Sequence, residues 1–123
     1  MEVNEITYKI RGAIFDVYNT LGPSLLESVY EEALAYELTQ QGLSVERQTD
    51  VPIVYKTVSL KTPLRIDLVV EKQIIVELKS VKELQDVHYK QLLTYLRLTG
   101  KRLGLLVNFN TSDIRSSIKR IIN

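Results

Sequence analysis

The chain has 123 residues, 45% of them hydrophobic and 25% charged, which is the composition of one soluble folded domain over residues 1–123. It contains no cysteine, which excludes disulfides, thiolate metal sites and a cysteine nucleophile. Sixteen basic and fifteen acidic residues give a net charge of +1, so nucleic-acid binding must rest on a local patch. No apolar run approaches the ~18 residues of a membrane span, and the N-terminus lacks a signal-peptide core. We therefore expect a cytoplasmic protein that does not bind membranes.

Two helices are predicted in the first third of the chain. Apolar residues at helical spacing indicate a first helix that ends at Gly22-Pro23 and a second that starts near Ser24 and stops at Gly42. Ser24 and Glu27 have the spacing of a capping box, in which the Glu27 side chain reaches back to the Ser24 backbone N–H.

Strands are predicted from Ser44 to Lys79, where valine, isoleucine and tyrosine are frequent. Pro52 and Pro63 indicate strand edges or bends within this region. The dipeptide Glu71-Lys72 predicts a tight turn between the last two strands, which would then form a hairpin.

Three charged side chains lie on this hairpin, although most of its residues are apolar. Asp67 is on the first strand, and Glu77 and Lys79 share one face of the second. A hairpin around the predicted turn pairs residues whose numbers sum to about 143, which places Asp67 opposite Val76 and near Glu77. A bulge or a slip of one residue would align the two carboxylates.

Two carboxylates and an ammonium at one position of a sheet suit a hard divalent cation, because Mg²⁺ typically binds through one or two carboxylates. A lysine beside such an ion can orient or deprotonate a water, or stabilise a phosphate oxyanion, which suits phosphodiester hydrolysis. The alternative that these residues leave open is a structural cluster at a strand end, in which Lys79 neutralises one carboxylate.

A third helix is predicted from about Lys82 to Thr99, with Gly100 as its end. The strand "RLGLLVNF" follows, and "TSDIRSSIKRII" predicts a short C-terminal helix because capping residues stand at its start. The predicted order of elements is therefore α-α-β-β-β-α-β-α.

One column of the third helix combines apolar and polar side chains at three- and four-residue spacing. Its members are Leu84, His88, Gln91, Tyr95 and Leu98. This pattern predicts that Gln91 faces the sheet, where a carboxylate cluster or ordered water would bond its amide. The alternative is a glutamine at the rim of the stripe that bonds to backbone.

Two of these patterns resemble nuclease motifs. Asp67 followed by Glu77-Leu78-Lys79 resembles the D…ExK signature of the PD-(D/E)xK nuclease superfamily, and the segment from Gln91 to Tyr95 resembles the QxxxY motif of RecB-type nuclease domains. Blocks such as "LGPSLLESVYEEAL", "VELKSV" and "LGLLVNF" make nearly the whole chain similar to the GxxExxY family of that superfamily, although Ser24 stands where the family name has glycine.

The resemblance implies an α/β fold with a PD-(D/E)xK nuclease-like core (α-β-β-β-α-β). The expected architecture is a mixed central sheet flanked by helices, with an extra N-terminal helix and a short C-terminal helix. It also implies a cofactor, Mg²⁺ or Mn²⁺. The implied metal ligands are Asp67, Glu77, the Leu78 carbonyl and Glu27, and the implied catalytic residues are Lys79, Asp67, Glu77, Gln91 and Tyr95. We therefore expect Glu27 to point toward Asp67 and Glu77 and to serve the metal site directly or through water, with the capping box as the alternative.

Three further residues are candidates for contacts with nucleic acid. Arg65 and Arg47 belong to a set of bases that would form a phosphate-contacting rim, and His88 lies one turn before Gln91. The alternatives are solvated surface bases and a structural histidine.

The leading hypothesis is a nuclease that uses Mg²⁺ or Mn²⁺ to hydrolyse phosphodiester bonds, with DNA the first expected substrate and RNA the second. The small size predicts low sequence specificity, or a homodimer or protein partner that supplies it. One alternative is a non-catalytic module that keeps the fold and binds nucleic acid or protein. Another is a metal-dependent hydrolase that acts on a different phosphate substrate.

Overall fold

The computed structural model describes residues 1–62 and 64–123, so the bend expected at Pro63 lies outside the described residues. Within them the chain forms helices α1 (Val3–Leu21), α2 (Glu27–Gln40) and α3 (Asp86–Thr99). The strands are β1 (Val45–Val51), β2 (Val54–Tyr55), β3 (Val58–Ser59), β4 (Leu64–Val70), β5 (Ile74–Lys79), β6 (Leu103–Asn108) and β7 (Ile118–Ile122). None of these helices is both long enough and apolar enough to cross a membrane.

Five strands form one mixed sheet in the order β1-β4-β5-β6-β7. Strands β5 and β6 are parallel, and the other neighbouring pairs are antiparallel. Helix α3 connects the two parallel strands, as a crossover between parallel neighbours requires. Strands β2 and β3 form a separate two-stranded sheet, in which each pairs with the other. The mixed sheet flanked by helices and preceded by an additional N-terminal helix confirms the predicted fold class.

The two faces of the sheet bury different helices. Helices α1 and α2 cover one face, where Val76 and Leu78 of β5 belong to the larger apolar cluster. Helix α3 covers the other face, where Ile75 packs with Leu92 and Leu96. Because side chains alternate along a strand, the residues that follow Ile75 at intervals of two also face α3.

The start of α2 differs from the prediction. The helix begins at Glu27, with Leu26 as its N-cap, and Ser24 precedes it with a φ of 75°. That left-handed backbone cannot belong to a helix and is most easily adopted by glycine, so the capping box that the spacing of Ser24 and Glu27 allows does not form.

Tyr30 fixes the loop that leads into α2. Its ring stacks on Phe109 with centroids 4.2 Å apart, and its hydroxyl accepts the Leu25 N–H at 3.1 Å and donates to the Gly22 carbonyl. The buried tyrosine therefore joins the α1–α2 loop to the chain that follows β6.

Helix α3 begins at Asp86, four residues later than predicted. The preceding segment is held by Asn108 instead, whose side-chain amide accepts the Val81 N–H at 3.1 Å and donates to the Val81 carbonyl at 2.9 Å. Since both backbone groups of Val81 are used in this way, they do not take part in a helix. The end at Gly100, which has a left-handed φ of 73°, is as predicted.

The predicted C-terminal helix is wrong. After a single 3₁₀ turn at Arg115–Ser117, residues Ile118–Ile122 form β7, which pairs antiparallel with β6. The open edge of β6 lies in register with all five residues of this segment and accepts it as a further strand, and β-branched isoleucines suit a strand.

Candidate metal and catalytic site

The turn between β4 and β5 sets the register of the charged hairpin. Glu71 and Lys72 both have left-handed backbones, with φ of 53° and 56°, and the Gln73 N–H donates to the Val70 carbonyl at 3.0 Å. The predicted turn is therefore confirmed. Gln73 is an additional residue in the loop, so that Val70 pairs with Ile74. The register is one residue away from the one predicted, and the slip considered as an alternative is what occurs.

Asp67 and Glu77 stand at the same level where the hairpin opens. The β4–β5 ladder ends at the pair Leu68–Val76. Beyond it the Asp67 N–H donates to Glu77 Oε1 at 3.3 Å, and the Leu78 N–H donates to Asp67 Oδ2 at 2.9 Å. The two carboxylates, called the carboxylate pair below, thus take the place of backbone partners across the gap.

Glu77 is a buried acid with a strongly perturbed proton affinity. Only 4% of the residue is exposed. Burial is the main cause that raises the pKa of Glu77 to about 9; the negative charge of Asp67 contributes in the same direction, and Lys79 acts in the opposite direction. Without a bound cation the Glu77 carboxyl therefore holds its proton at neutral pH.

Lys79 ends β5 on the face that carries Glu77, and its side chain is half-buried. Among the described residues, no carboxylate lies within 4.0 Å of its ammonium group; the ion pairs present are Arg47–Glu31 and Arg65–Asp50. The Lys79 ammonium therefore acts on Glu77 electrostatically, in the direction that lowers the Glu77 pKa, and forms no ion pair with a described residue.

Leu78 has a backbone carbonyl on the same side as the carboxylate pair. Its N–H points to Asp67, and the N–H and C=O of one residue in a strand point to the same neighbour. The Lys79 carbonyl points the other way and accepts the Phe109 N–H at 2.9 Å. The prediction of a Leu78 carbonyl ligand is therefore compatible with the strand geometry.

Tyr95 of α3 is buried over the carboxylate pair. Burial is the main cause that raises the pKa of Tyr95, and the charges of Glu77 and Asp67 raise it further, while the Gln91 side chain acts in the opposite direction. The column predicted for α3 is partly wrong, because Gln91 and Leu98 are exposed. The helix buries Leu92, Tyr95 and Leu96 against the sheet, and Gln91 lies at the rim of that face.

Glu27 reaches the end of β5 but not the carboxylate pair. Its carboxylate accepts the Ser80 N–H at 3.0 Å, while the Ser80 hydroxyl donates to the Leu25 carbonyl at 2.6 Å. Over residues 1–62 and 64–123, no three acidic or histidine residues are grouped in a way that could hold a metal. That Glu27 serves the metal site stays a prediction. A Glu27 oxygen binds the backbone one residue beyond Lys79.

Two residues that were not predicted from the sequence connect α2 to the site: Gln48 contacts Asp67, and Glu31 contacts Gln48. The Gln48 amide lies 3.4 Å from Asp67 Oδ1 and also donates to Glu31 Oε1. Glu31 is only 6% exposed, and Arg47 pairs with it at 3.2 Å. A signal for Glu31 exists in the sequence, because it stands at helical spacing with the buried Leu34, Ala35 and Leu38.

The three candidates for nucleic-acid contacts already have partners within the chain. Arg47 pairs with Glu31, and Arg65 forms an exposed ion pair with Asp50 at 3.0 Å. His88 Nδ1 accepts the Gln85 N–H at 2.9 Å at the start of α3. A structural role is therefore visible for each, and contact with nucleic acid stays a prediction.

The chemistry of the donor set fits a hard divalent cation. Asp67 and Glu77 supply carboxylate oxygens, the Leu78 carbonyl lies on the same side, and Mg²⁺ is commonly held by one or two protein carboxylates. A cation would also counteract both main causes of the raised Glu77 pKa, because its charge would stabilise the buried Glu77 carboxylate and offset the charge of Asp67.

Comparison with known families supports the same view of the fold. A family model described as PD-(D/E)XK nuclease superfamily matches residues 4–121. Because this match spans nearly all of the chain, the protein belongs to the PD-(D/E)XK nuclease superfamily. Comparison with curated proteins and with solved structures gave no match. The resemblance stated from the motifs is confirmed at the level of the superfamily.

Proposed function

We propose that this protein is a nuclease that hydrolyses phosphodiester bonds of DNA with the help of Mg²⁺ or Mn²⁺. The observation that carries the proposal is the carboxylate pair itself. Asp67 and the buried Glu77 face each other where a hairpin opens, and burial together with the charge of Asp67 raises the pKa of Glu77 to about 9. Membership of a nuclease superfamily, whose members generally use divalent metal ions, supports the same function.

Each residue of the chain has a definite task in this proposal. Asp67, Glu77 and the Leu78 carbonyl would hold the cation, and Glu77 gives up its proton on binding. The Lys79 ammonium, free of ion pairs among the described residues, donates a hydrogen bond to the phosphate oxygen on which negative charge develops. Tyr95 and Gln91 line the site from α3.

A divalent cation supplies Lewis-acid polarisation of a phosphoryl oxygen and lowers the pKa of water that it coordinates. The protein excludes bulk water from one side of the site by packing Tyr95 and the sheet around Glu77. This burial strengthens every electrostatic interaction between the chain and the reacting phosphate.

We also place the protein, as a proposal, in the GxxExxY family of the superfamily. The left-handed backbone at Ser24 supports this placement, because the family name has glycine at that position and glycine adopts such a backbone without strain.

The direct test is cleavage of labelled single- and double-stranded DNA in Mn²⁺ by wild type and by Lys79→Ala. Loss of one donor to a developing oxyanion typically slows a reaction by about 10²–10³-fold, and we expect a decrease of that order. Lys9→Ala is the matched control, since it removes a lysine from α1, which covers the other face of the sheet. Equal cleavage by Lys79→Ala and Lys9→Ala would reject the catalytic role of Lys79.

A non-catalytic module that binds nucleic acid or protein is the second candidate. One observation favours it: both carboxylates of the pair already accept backbone N–H groups and so have a structural use. Such a module predicts no change in DNA binding when Mn²⁺ is replaced by a chelator and no cleavage of any DNA. Cleavage by wild type that is lost in Lys79→Ala would exclude it.

A further inference from the structure

A cavity of about 500 Å³ lies away from the carboxylate pair, around the opposite end of β5. The β4–β5 turn, the α3–β6 loop, the start of α1 and the end of β7 form its walls. Its four basic side chains come from three of these segments: Lys72, Lys101, Arg102 and Arg120.

The cavity concentrates positive charge in a protein whose net charge is only +1. No acidic side chain of residues 1–62 and 64–123 lines it. Within the described part of the chain, none of its four cations has a carboxylate within 4.0 Å, since the ion pairs present are those of Arg47 and Arg65. Four of the sixteen basic residues therefore line the cavity, and none of their charges is neutralised by a neighbouring carboxylate of the described residues. This arrangement favours binding of an anion.

The lining also has an apolar part. Val3, Leu103 and Ile122 contribute aliphatic surface beside the cations, and Gln73 and Thr99 contribute polar side chains. Small-molecule sites of this volume usually combine apolar walls with a few polar groups that fix orientation. The lining therefore matches an anion that carries an apolar ring or chain, rather than a bare inorganic ion.

Backbone contacts hold the basic walls at fixed positions. The Asn123 N–H donates to the Arg102 carbonyl at 2.8 Å, which ties the end of β7 to the α3–β6 loop. Lys72 stands in the tight β4–β5 turn with a φ of 56°, and Gly100 ends α3 with a φ of 73°. The cavity is thus built from ordered turns and a paired strand.

The cavity is separate from the proposed catalytic site. It adjoins Gln73, just before β5, whereas the carboxylate pair and Lys79 lie at the other end of that strand. At ~3.3 Å per residue, a strand of this length separates the two regions by roughly 15–20 Å. An anion in the cavity would therefore not touch the carboxylate pair.

We propose that this cavity, called the basic cavity below, binds a phosphate ester. Arginine is suited to bidentate contact with phosphate, and lysine supplies a mobile point charge. Two kinds of ligand carry this group: a free nucleotide and the backbone of a nucleic-acid strand. The proposal does not depend on hydrolysis at the carboxylate pair.

The test is a titration followed by ¹H–¹⁵N NMR in the presence of a chelator, which removes metal-dependent chemistry. The probes are inorganic phosphate, adenosine monophosphate and a 12-nucleotide single-stranded DNA. Arg120→Gln is the test variant, and Arg115→Gln is the matched control, because Arg115 is exposed in the turn before β7 and does not line the basic cavity. We expect shifts of the Lys72, Lys101 and Arg120 amides, and affinity about tenfold or more weaker in Arg120→Gln only.

The probes separate the two sources of phosphate. Tighter binding of adenosine monophosphate than of inorganic phosphate, with no gain for the oligonucleotide, identifies a nucleotide site. Stronger oligonucleotide binding, with a log–log salt slope reduced by about one in Arg120→Gln, identifies a nucleic-acid backbone contact. The proposal is overturned if no probe shifts these amides, or if Arg120→Gln and Arg115→Gln weaken binding equally.

Discussion

Asp67 and Glu77 each bond to the strand that carries the other. Asp67 accepts the Leu78 N–H from β5 at 2.9 Å, and Glu77 accepts the Asp67 N–H from β4 at 3.3 Å. This reciprocal arrangement closes the open end of the hairpin while it brings two acids together. A substitution in either residue therefore affects both the hairpin and any cation that the pair holds.

Glu77→Gln should change how stability depends on pH in metal-free buffer. The pKa of Glu77 is about 9 in the folded protein and near the ordinary value of 4.5 when unfolded. Between these values the folded state binds the proton and the unfolded state does not, so the free energy of unfolding falls as pH rises, by up to roughly 1.4 kcal/mol per pH unit. Glutamine does not titrate, so the decline should flatten.

Urea unfolding of both proteins at pH 6 and pH 8 with a chelator measures this effect. Wild type should lose stability over that interval, and Glu77→Gln should lose much less. Parallel declines in the two proteins would show that Glu77 does not hold its proton in the folded state.

Asp67→Asn should retain the fold and weaken binding of the cation at the carboxylate pair. The asparagine oxygen can still accept the Leu78 N–H, so stability should change by no more than about 1 kcal/mol. Asp67→Ala is the informative comparison, because it leaves that N–H without its partner and should cost about 1–3 kcal/mol. Thermal unfolding measures the stabilities of the two variants, and Asp67→Ala should be the less stable. Equal stabilities would mean that the hydrogen bond from the Leu78 N–H to Asp67 contributes little.

Gln48 should couple Glu31 to the carboxylate pair. Its amide contacts both Glu31 and Asp67, so Gln48→Ala leaves the buried Glu31 with Arg47 as its remaining side-chain partner. We expect a loss of about 1–3 kcal/mol of stability. A double-mutant cycle with Glu31→Gln should give an interaction energy of at least about 0.5 kcal/mol. Strict additivity of the two substitutions would argue against the coupling.

Glu27→Gln should behave differently from Glu27→Ala. Glutamine keeps an oxygen that can accept the Ser80 N–H, whereas alanine does not and should lose about 1 kcal/mol of stability. If Glu27 acts only by holding the chain after Lys79, cleavage by Glu27→Gln stays near the wild-type rate. A large loss of Mn²⁺ affinity in Glu27→Gln would instead support the metal ligand expected from the motif.

Local sequence patterns predicted the hairpin well and its register less well. The turn at Glu71-Lys72 and the charged interior positions followed from strand composition and spacing. The third loop residue, Gln73, could not be predicted in the same way. Whether a turn contains two or three residues depends on its backbone conformation, and the residue types present here do not specify that conformation. The consequence was an error of one residue in the partner of Asp67.

Tertiary context decided the elements that the sequence misassigned. Residues Ile118–Ile122 carry both helical and alternating patterns, and the free edge of β6 selects the strand. Gln91 has helical spacing with Tyr95, yet the buried face of α3 centres on Leu92 and Leu96. Gln48 was missed because its importance rests on a left-handed φ of 49° and on contacts with distant segments, which no local spacing reveals.

Calorimetric titration with Mn²⁺ near pH 7, in two buffers of different ionisation enthalpy, tests most directly whether the carboxylate pair is a cation site. The account predicts one bound ion per chain and release of close to one proton, because Glu77, with a pKa of about 9, must deprotonate to become a ligand. Glu77→Gln should bind far more weakly and release no proton. No binding by wild type at millimolar Mn²⁺, or equal binding and proton release by Glu77→Gln, would contradict the account.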